Sequence, residues 1–347
     1  MKLTRLMTAV LLVLMSGVLL ACSTGNAGTQ NASSDDTIDV VWYPNESGKE
    51  LKSSRDAIGK VIADATGKDV KHHLTTDYAI AIETLVNNNA DVAFLGAQGY
   101  IEAKAKNDAI TPLAVATGPS GTLEDAKYHS WLAVQEGTED KFKKNGEFSL
   151  DTLEGKNMSF VSTSSTSGFQ VPSATIVDHF SSTDKYAELT SEDLMQGGTL
   201  FDQVLFGNSH QGSAVNLLQG NADVAAFCDT CVDNYVEVSE GEENKAGSVY
   251  KVKDDAAKPF DTVKGSNFTL MSVTPVLNAP FAANVESLGE EDYNNLKEAF
   301  TSDEVAGNEE IFVPEDSGKT GLFFKSGDER FAPVEDSWFD PIRELSQ

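Results

Sequence analysis

The chain has 347 residues, which is long enough for two lobes that each bury a core of their own. It carries 54 acidic residues against 26 basic ones, a formal net charge of -28, and this charge argues against a nucleic-acid partner. The overall field would also repel an anion. Any anion that binds must therefore be held by local hydrogen-bond donors and dipoles.

The N-terminal residues predict an export signal. Lys2 and Arg5 precede an apolar run at 9–20, and Cys22 follows directly, a pattern that resembles a bacterial lipoprotein signal with a lipidated cysteine. Residues 1–21 would be the signal peptide and 22–36 a flexible tether. Cys22 would then anchor the protein to the outer side of a membrane, at the cell surface or in a periplasm. The alternative is a secreted protein that is cut elsewhere, with Cys22 incidental.

From residue 38 onward, strands and helices alternate. We predict strands at 38–42, 69–74 and 91–95 and helices at 50–65, 78–86 and 98–106. Such alternation favours an α/β fold with a mostly parallel sheet covered by helices. Ligands of open α/β sheets bind beyond the carboxyl ends of the strands, which places the segments after these strands at a candidate site.

A serine-rich stretch is the strongest candidate for an anion site. It lies between a predicted strand at 158–161 and a predicted helix at 169–180, so that residues 164–167 fall at the helix N-terminus. Free backbone N–H groups and the positive end of the helix dipole converge there, and hydroxyls add donors without charge. Gly168 would allow a close backbone approach. The alternative is a polar loop that only caps the helix.

An internal similarity indicates two lobes. Residues 81–94 and 214–227 share the sequence Asn-Ala-Asp-Val-Ala, and each copy is typical of a helix, a tight turn and a strand. The copies are too far apart for a solenoid and suit a duplicated lobe. Chance similarity between two helix-to-strand turns is the alternative.

The remaining cysteines and histidines carry weaker signals. Cys228 and Cys231 form C-x-x-C, which in an exported protein favours a short disulfide, while a redox-active pair or half of a metal site stays open. The adjacent His72 and His73 would point to opposite faces of a strand and make poor joint metal ligands, so we predict neither a metal nor a cofactor. We assign His129 and His179 to the surface or to packing.

Four segments resemble one known family. The order of these segments, and approximately their spacing, resemble those of the phosphonate- and phosphite-binding proteins of ABC importers. That family belongs to the type II periplasmic binding proteins. The resemblance covers roughly residues 38–285, and the segments are Asn89-Ala-Asp-Val-Ala-Phe-Leu-Gly96, Tyr128-His-Ser-Trp-Leu-Ala-Val134, Ser164-Ser-Thr-Ser-Gly-Phe-Gln-Val-Pro172 and Ser209-His-Gln-Gly-Ser-Ala-Val215.

The resemblance implies a set of ligand contacts. The Ser-Thr-Ser motif would bind the oxygens on phosphorus, and two tyrosines, the serine after the second of them, a helix start and a histidine would complete the pocket. The bound negative charge would favour protonation of that histidine. These residues are Ser165, Thr166 and Ser167 of the motif, with Tyr78, Gln98, Tyr128, Ser130 and His210.

One departure from the family pattern affects the choice of ligand. Aminoethylphosphonate binders place acidic residues against the ligand ammonium, and here only Asp229 could serve, while residues 274–281 contain no acid. A smaller ligand without an amine, such as phosphite, methylphosphonate or phosphate, therefore stays open beside an amine-bearing one. Asp229 could instead accept a proton from a ligand hydroxyl. Its structural alternative is a turn cap beside the disulfide.

The resemblance implies two lobes joined by two crossover strands, residues 37–133 with 275–347 and residues 134–274. The ligand would lie between them and close them about a hinge. A permease and an ATPase would be the partners of a monomeric binding protein. Two alternatives stay open, a non-transport surface protein on the same fold and an enzyme, such as a thiol oxidoreductase that uses Cys228 and Cys231 or a phosphoesterase. No G-x-S-x-G elbow or Ser/His/Asp order supports an enzyme.

Overall fold

The computed structural model describes residues 36–345. The predicted signal peptide, the lipidation site at Cys22 and the tether lie outside the described residues, apart from Asp36. The described residues belong to one compact unit. Within them, no helix is long and apolar enough to cross a membrane.

The described strands form two large sheets and two small ribbons. In chain order they are β1 Thr37–Trp42, β2 Asp69–Leu74, β3 Val92–Phe94, β4 Ile110–Ala116, β5 Lys127–Gln135, β6 Lys143–Lys144, β7 Glu147–Phe148, β8 Asn157–Phe160, β9 Gln203–Phe206, β10 Val224–Cys228, β11 Val236–Glu240, β12 Val249–Val252, β13 Asn267–Leu277, β14 Pro280–Asn284, β15 Phe312–Pro314, β16 Phe323–Lys325 and β17 Phe331–Ala332.

The first sheet has the order β17-β4-β14-β3-β1-β2 and the second β11-β12-β13-β5-β10-β8-β9. We call the parts of the chain built on them the first and second lobes. Both sheets are more mixed than the predicted, mostly parallel arrangement. Parallel pairing is confined to β1 with β2 and β3 in the first sheet, and to β8 with β9 and β10 in the second. The connecting strands β5, β13 and β14 run antiparallel to their neighbours because the chain enters each sheet from the other lobe.

Helices cover the faces of both sheets. They are α1 Lys52–Thr66, α2 Tyr78–Val86, α3 Ala97–Lys106, α4 Val171–Ser181, α5 His210–Leu218, α6 Val285–Leu288, α7 Glu290–Phe300, α8 Asp303–Ala306 and α9 Asp340–Glu344. Local signals define several ends. Asp77 caps α2 by accepting from the N–H groups of Ala79 and Ile80, and Gly67 ends α1 in the left-handed region.

Apolar side chains fill both faces of each sheet. In the first lobe Trp42, Phe281 and Phe300 pack on one face. The cluster on the other face joins Tyr78 and Tyr100 of that lobe to Tyr128, Val161, Val276 and other residues of the second. The two lobes therefore share apolar contact beside the candidate site.

Two connections link the sheets. The chain leaves the first sheet at the end of β4 and enters the second with β5, then returns from β13 to β14. β5 pairs along its length with β13, so the strand that contains the predicted boundary at 133 and 134 lies wholly in the second sheet. The exact division of the chain into lobes stays a prediction.

Candidate functional site

The serine-rich stretch is held in shape by its own hydrogen bonds. It follows β8, and its helix begins as a single π turn at Thr166–Gln170 before α4, where a regular α-helix from 169 was predicted. Oγ of Ser165 accepts the Gly168 N–H at 3.1 Å. A Cβ on Gly168 would lie 2.3 Å from a methyl carbon of Val161, so the tight turn requires glycine here. π turns are frequent at functional sites.

The hydroxyls of this stretch have distinct environments. Ser164 donates to Glu102 of the first lobe at 2.7 Å, and Oγ1 of Thr166 accepts the backbone N–H of Gln98 at 2.9 Å. Oγ of Ser167 is buried and lies close to the Tyr128 hydroxyl. The O–H of Thr166 thus remains able to donate to a ligand, because its oxygen is the atom engaged by Gln98.

Asn45 connects the two lobes at the end of β1. It lies in a short turn, Pro44–Glu46, and its Nδ2 donates to the Tyr78 hydroxyl at 2.7 Å. Its Oδ1 accepts the backbone N–H of His210 at 3.0 Å, and its carbonyl accepts from Nε2 of Gln211 at 3.2 Å. A single residue of the first lobe therefore holds the N-terminus of α5.

His210 is fixed as a neutral donor. Its Nδ1 accepts the Cys228 backbone N–H at 3.0 Å, which leaves the hydrogen on Nε2, 3.4 Å from Oγ of Ser165. Burial lowers the pKa of His210 to about 3. The sequence led us to expect a bound anion to favour a charged imidazolium. Without ligand, burial favours the neutral ring. The effect of a bound anion on this protonation stays a prediction.

Tyr78 and Tyr128 supply two more neutral donors. Both are buried, and burial raises the pKa of each hydroxyl far above its ordinary value. Each phenol therefore keeps its proton. The hydroxyl of Tyr78 interacts with Ser165, and that of Tyr128 with Ser167 and Thr166, so both point toward the serine-rich stretch.

Asp229 is engaged by protein donors. It accepts from the backbone N–H and Nδ1 of His129 at 2.9 and 2.7 Å, and from the N–H of Thr230 at 2.7 Å. The turn that follows is closed by the backbone carbonyl of Asp229, which accepts the N–H groups of Val232 at 2.9 Å and Asp233 at 3.1 Å. His129 is not the surface or packing residue that we predicted, because it pairs with Asp229 on the cavity wall.

A cavity of about 360 Å³ joins these groups. Six of the predicted contact residues line it, namely Tyr78, Tyr128, Ser165, Thr166, His210 and Asp229. Three others support the wall from behind. Gln98 bonds to Thr166 through its backbone, and Ser130 donates to the carbonyl of Ser167 at 2.6 Å. The cavity is large for a small oxyanion alone, and it extends toward the C-terminal segment at Phe312 and Phe323.

The C-x-x-C pair forms a disulfide, Cys228–Cys231, which was the favoured prediction from the sequence. Cys231 borders the cavity, and the two sulfurs lie within 4.8 Å of a ring nitrogen of His210. The two cysteines could bind a metal beside His210 only as free thiolates. The disulfide leaves neither thiol free.

Sequence reasoning missed several cavity residues. Asn45 and Glu46 follow the first strand, in a segment that we had placed at the ligand edge without assigning a role to either residue. His129 lies between two residues that the family resemblance had marked. Gln211 follows His210 and bonds to the carbonyl of Cys231 at 2.9 Å. Each of these residues follows a predicted strand or adjoins a predicted contact residue, and this position could have identified it as a cavity residue.

Two sheet-based lobes that enclose a cavity lined by neutral donors define the class of two-lobed solute-binding proteins. Residues 40–339 match the family model described as "ABC transporter, phosphonate, periplasmic substrate-binding protein". The chain belongs to that family, and it is the extracytoplasmic substrate-binding component of an ABC importer.

Individual relatives agree with this assignment. The chain is 27% identical over 336 residues to the phosphate-import protein PhnD of Mycolicibacterium smegmatis, covering 94% of this chain and 90% of the relative. The binding-protein component of an ABC phosphonate transporter from Pseudomonas aeruginosa is similar in structure, with a TM-score of 0.62 and 19% identity, covering 89% of this chain and 85% of that one.

A further similar structure is PhnD1 from Prochlorococcus marinus in complex with methylphosphonate. The TM-score is 0.63 at 15% identity, and the match covers 90% of this chain and 97% of the other. At such identities the structural likeness shows the shared two-lobed fold.

Proposed function

We propose that the chain captures one small phosphorus oxyanion, a phosphonate, phosphite or phosphate, against the serine-rich stretch. One observation carries the proposal. Five neutral donor groups from both lobes converge on one wall of the cavity, from Ser165, Thr166, Tyr78, Tyr128 and His210. Neutral donors suit an anion in a chain whose net charge is strongly negative, because they act locally.

The energetics are sufficient for specific binding. A hydrogen bond from the protein to a charged group contributes roughly 1.5–3 kcal/mol. Four such bonds at the upper end of this range contribute about 12 kcal/mol, which leaves the roughly 8 kcal/mol of micromolar binding once an immobilisation cost of about 4 kcal/mol is subtracted. Asp229 and the serine-rich stretch complete the proposed ligand set, with Ser130, Ser167 and Gln98 as supporting residues behind the wall.

The choice among phosphorus ligands draws support from the relatives, which include a phosphate-import protein and a methylphosphonate complex. Asp229 accepts hydrogen bonds from His129 and Thr230, and residues 274–281 supply no second acid for a ligand ammonium. A small phosphonate, phosphite or phosphate is therefore the proposed class.

Delivery to the membrane is the second part of the proposal. The loaded monomer would dock on a permease that is driven by an ATPase, and lipid on Cys22 would hold it at the membrane through the tether. The chain would release its ligand unchanged. Incorporation of labelled fatty acid by the full chain, and its loss in Cys22→Ser, tests the anchor. Secretion of the unaltered chain without lipid would contradict it.

The ligand class is tested by calorimetric titration of the signal-free protein, freed of bound ligand by unfolding, dialysis and refolding. The titrants are phosphite, methylphosphonate, aminoethylphosphonate, phosphate and sulfate. We expect one phosphorus oxyanion to bind one-to-one and far more tightly than sulfate. Equal binding of all five, or binding of none, would contradict the proposal.

A further inference from the structure

Glu46 is a cavity residue that the proposed donor set does not use. It ends the short turn after β1, where Pro44 starts the turn and the Glu46 N–H bonds to the Tyr43 carbonyl at 3.2 Å. The side chain lines the same cavity as the serine-rich stretch and is only 8% exposed. Its Oε2 is buried and has no hydrogen-bond partner among the described residues. A buried, unpartnered carboxyl oxygen on a cavity wall is costly unless a ligand completes it.

The nearby arginine does not neutralise this carboxyl. Arg55 of α1 donates through Nη1 to the backbone carbonyls of Glu46 and Gly48, the latter at 2.8 Å, and among the described residues it forms no ion pair with the Glu46 carboxylate. Its charge opposes the effect of burial only weakly. Burial raises the pKa of Glu46 to about 8, against the lowering effects of its own backbone N–H, Asn45 and Arg55.

The other groups that face Glu46 are phenols and one guanidinium. Electrostatic interaction joins it to Tyr43, Tyr78, Tyr128, Tyr235 and Arg55. Lys127, His129, His210, Asp229 and Asp233 line other parts of the cavity. The C-terminal segment adds Glu315 and Glu329 to the wall. Tyr78 and Tyr128 interact both with Glu46 and with hydroxyls of the serine-rich stretch, and all of them line the same cavity apart from Ser167.

We infer that Glu46 contacts the bound anion as a neutral carboxylic acid whose O–H donates to a phosphorus-bound oxygen. This inference rests on the proposed function and adds a residue to it. An un-ionised acid adds a donor without adding negative charge, whereas a carboxylate at the same position would repel the ligand. Anion binding is therefore linked to the protonation of Glu46.

The linkage has a definite sign. At neutral pH the acid is protonated and the anion binds. As the pH rises through about 8, the acid ionises, and the anion must then bind together with a proton. The affinity should fall by about tenfold for each further pH unit.

The test compares the wild-type chain with Glu46→Gln across pH 6 to 9.5, using the phosphorus oxyanion that binds most tightly in the panel above. Glutamine keeps an N–H donor at this position and cannot ionise. Because both proteins bind the same ligand, the ratio of their affinities cancels the ligand's own ionisation and that of every other cavity group. We expect the wild-type affinity, relative to the variant, to be constant below pH 7.5 and to fall about 30-fold by pH 9.5.

A second measurement does not depend on the variant folding well. Calorimetry of the wild-type chain at pH 9 in two buffers of different ionisation enthalpy counts the protons taken up on binding, and close to one proton should be taken up at Glu46. A ratio that stays flat with pH, or no proton uptake beyond that of the ligand itself, would overturn the role of Glu46 while leaving anion binding intact. Absence of binding by the wild type at pH 6 would instead overturn the proposed function together with this inference.

Discussion

The backbone N–H of Gln98, at the start of α3 in the first lobe, donates to Oγ1 of Thr166 in the second lobe at 2.9 Å. The same threonine lies at the start of the π turn before α4. Two helix starts therefore meet at one hydroxyl, and the positive ends of both helices face the cavity wall. This contact links closure of the lobes to the group proposed to bind the anion.

Removal of that hydroxyl should weaken anion binding more than it weakens the fold. Thr166→Ala deletes one hydrogen bond to a charged ligand and the acceptor of the Gln98 N–H. We expect the affinity for the phosphorus oxyanion to drop roughly 10- to 150-fold. Thr166→Ser should retain most of the affinity. The exposed Thr163, in the same loop, provides the matched control, and Thr163→Ala should bind as the wild type does. Equal loss in both alanine variants, measured by calorimetry, would contradict a specific role for Thr166.

Gly99 should tolerate no side chain. A Cβ at this position of α3 would lie 1.8 Å from the Tyr43 hydroxyl, and Tyr43 stacks on Tyr78 with ring centroids 4.0 Å apart. Gly99→Ala should therefore lower the free energy of unfolding by about 1–3 kcal/mol and disturb the pocket tyrosine.

Removal of the Tyr43 hydroxyl provides a control for the predicted clash with a side chain at position 99. The Tyr43 hydroxyl has no hydrogen-bond partner among the described residues, so Tyr43→Phe alone should cost little. In the double variant, loss of that oxygen relieves the closest contact, and part of the lost stability should return in chemical denaturation. Identical stability of Gly99→Ala with either residue at 43 would show that another contact limits the position.

Burial of neutral His210 should make the ligand-free fold sensitive to acid. Its pKa is lowered to about 3 in the folded chain, against about 6.5 when unfolded. The stability that it contributes is present above pH 6.5 and is lost as the pH falls toward 3, because the unfolded chain binds the proton first. The full effect would be roughly 4–5 kcal/mol.

The measurement is the pH dependence of the free energy of unfolding between pH 7 and 4, without anion. His210→Gln should flatten this dependence by close to one proton. If the wild-type and His210→Gln curves run parallel, the neutral buried state of His210 is wrong.

The disulfide should contribute modestly to stability and also to the site. Closing a loop this short stabilises the folded state by about 2 kcal/mol in the chain-entropy model. Cys228 also presents its N–H to His210, and the Cys231 carbonyl accepts from Gln211. We expect Cys228→Ser/Cys231→Ser to fold, to melt at a lower temperature and to bind the anion several-fold more weakly. Unchanged affinity in the double variant would confine the disulfide to a stabilising role.

Local patterns predicted the local structure well. The strand at 69–74 and the helix at 78–86 match the observed β2 and α2 at both ends, because the alternation pattern and the Asp77 cap are encoded within a few residues. The two-lobed fold was predicted through family resemblance. The antiparallel pairing of the connecting strands was not, since it depends on how the chain returns between lobes.

The candidate site shows the same division. Ser165 and Thr166 belong to a contiguous motif and were identified from sequence. Asn45, Glu46 and His129 act through contacts with residues far away in the chain, such as the bond from the His210 N–H to Asn45. No periodicity encodes such contacts, and a single sequence offers only the proximity of these residues to strand ends.

In the proposed function, the cavity between the lobes binds one phosphorus oxyanion through the serine-rich stretch. Phosphorus-31 magnetic resonance of the refolded, signal-free chain with one equivalent of each candidate anion tests it most directly. We expect a separate bound resonance for at least one anion, undisturbed by a large excess of sulfate, and a larger free fraction of the same anion with Thr166→Ala. A single resonance at the position of the free anion for every candidate, with the protein shown to be folded, would contradict it.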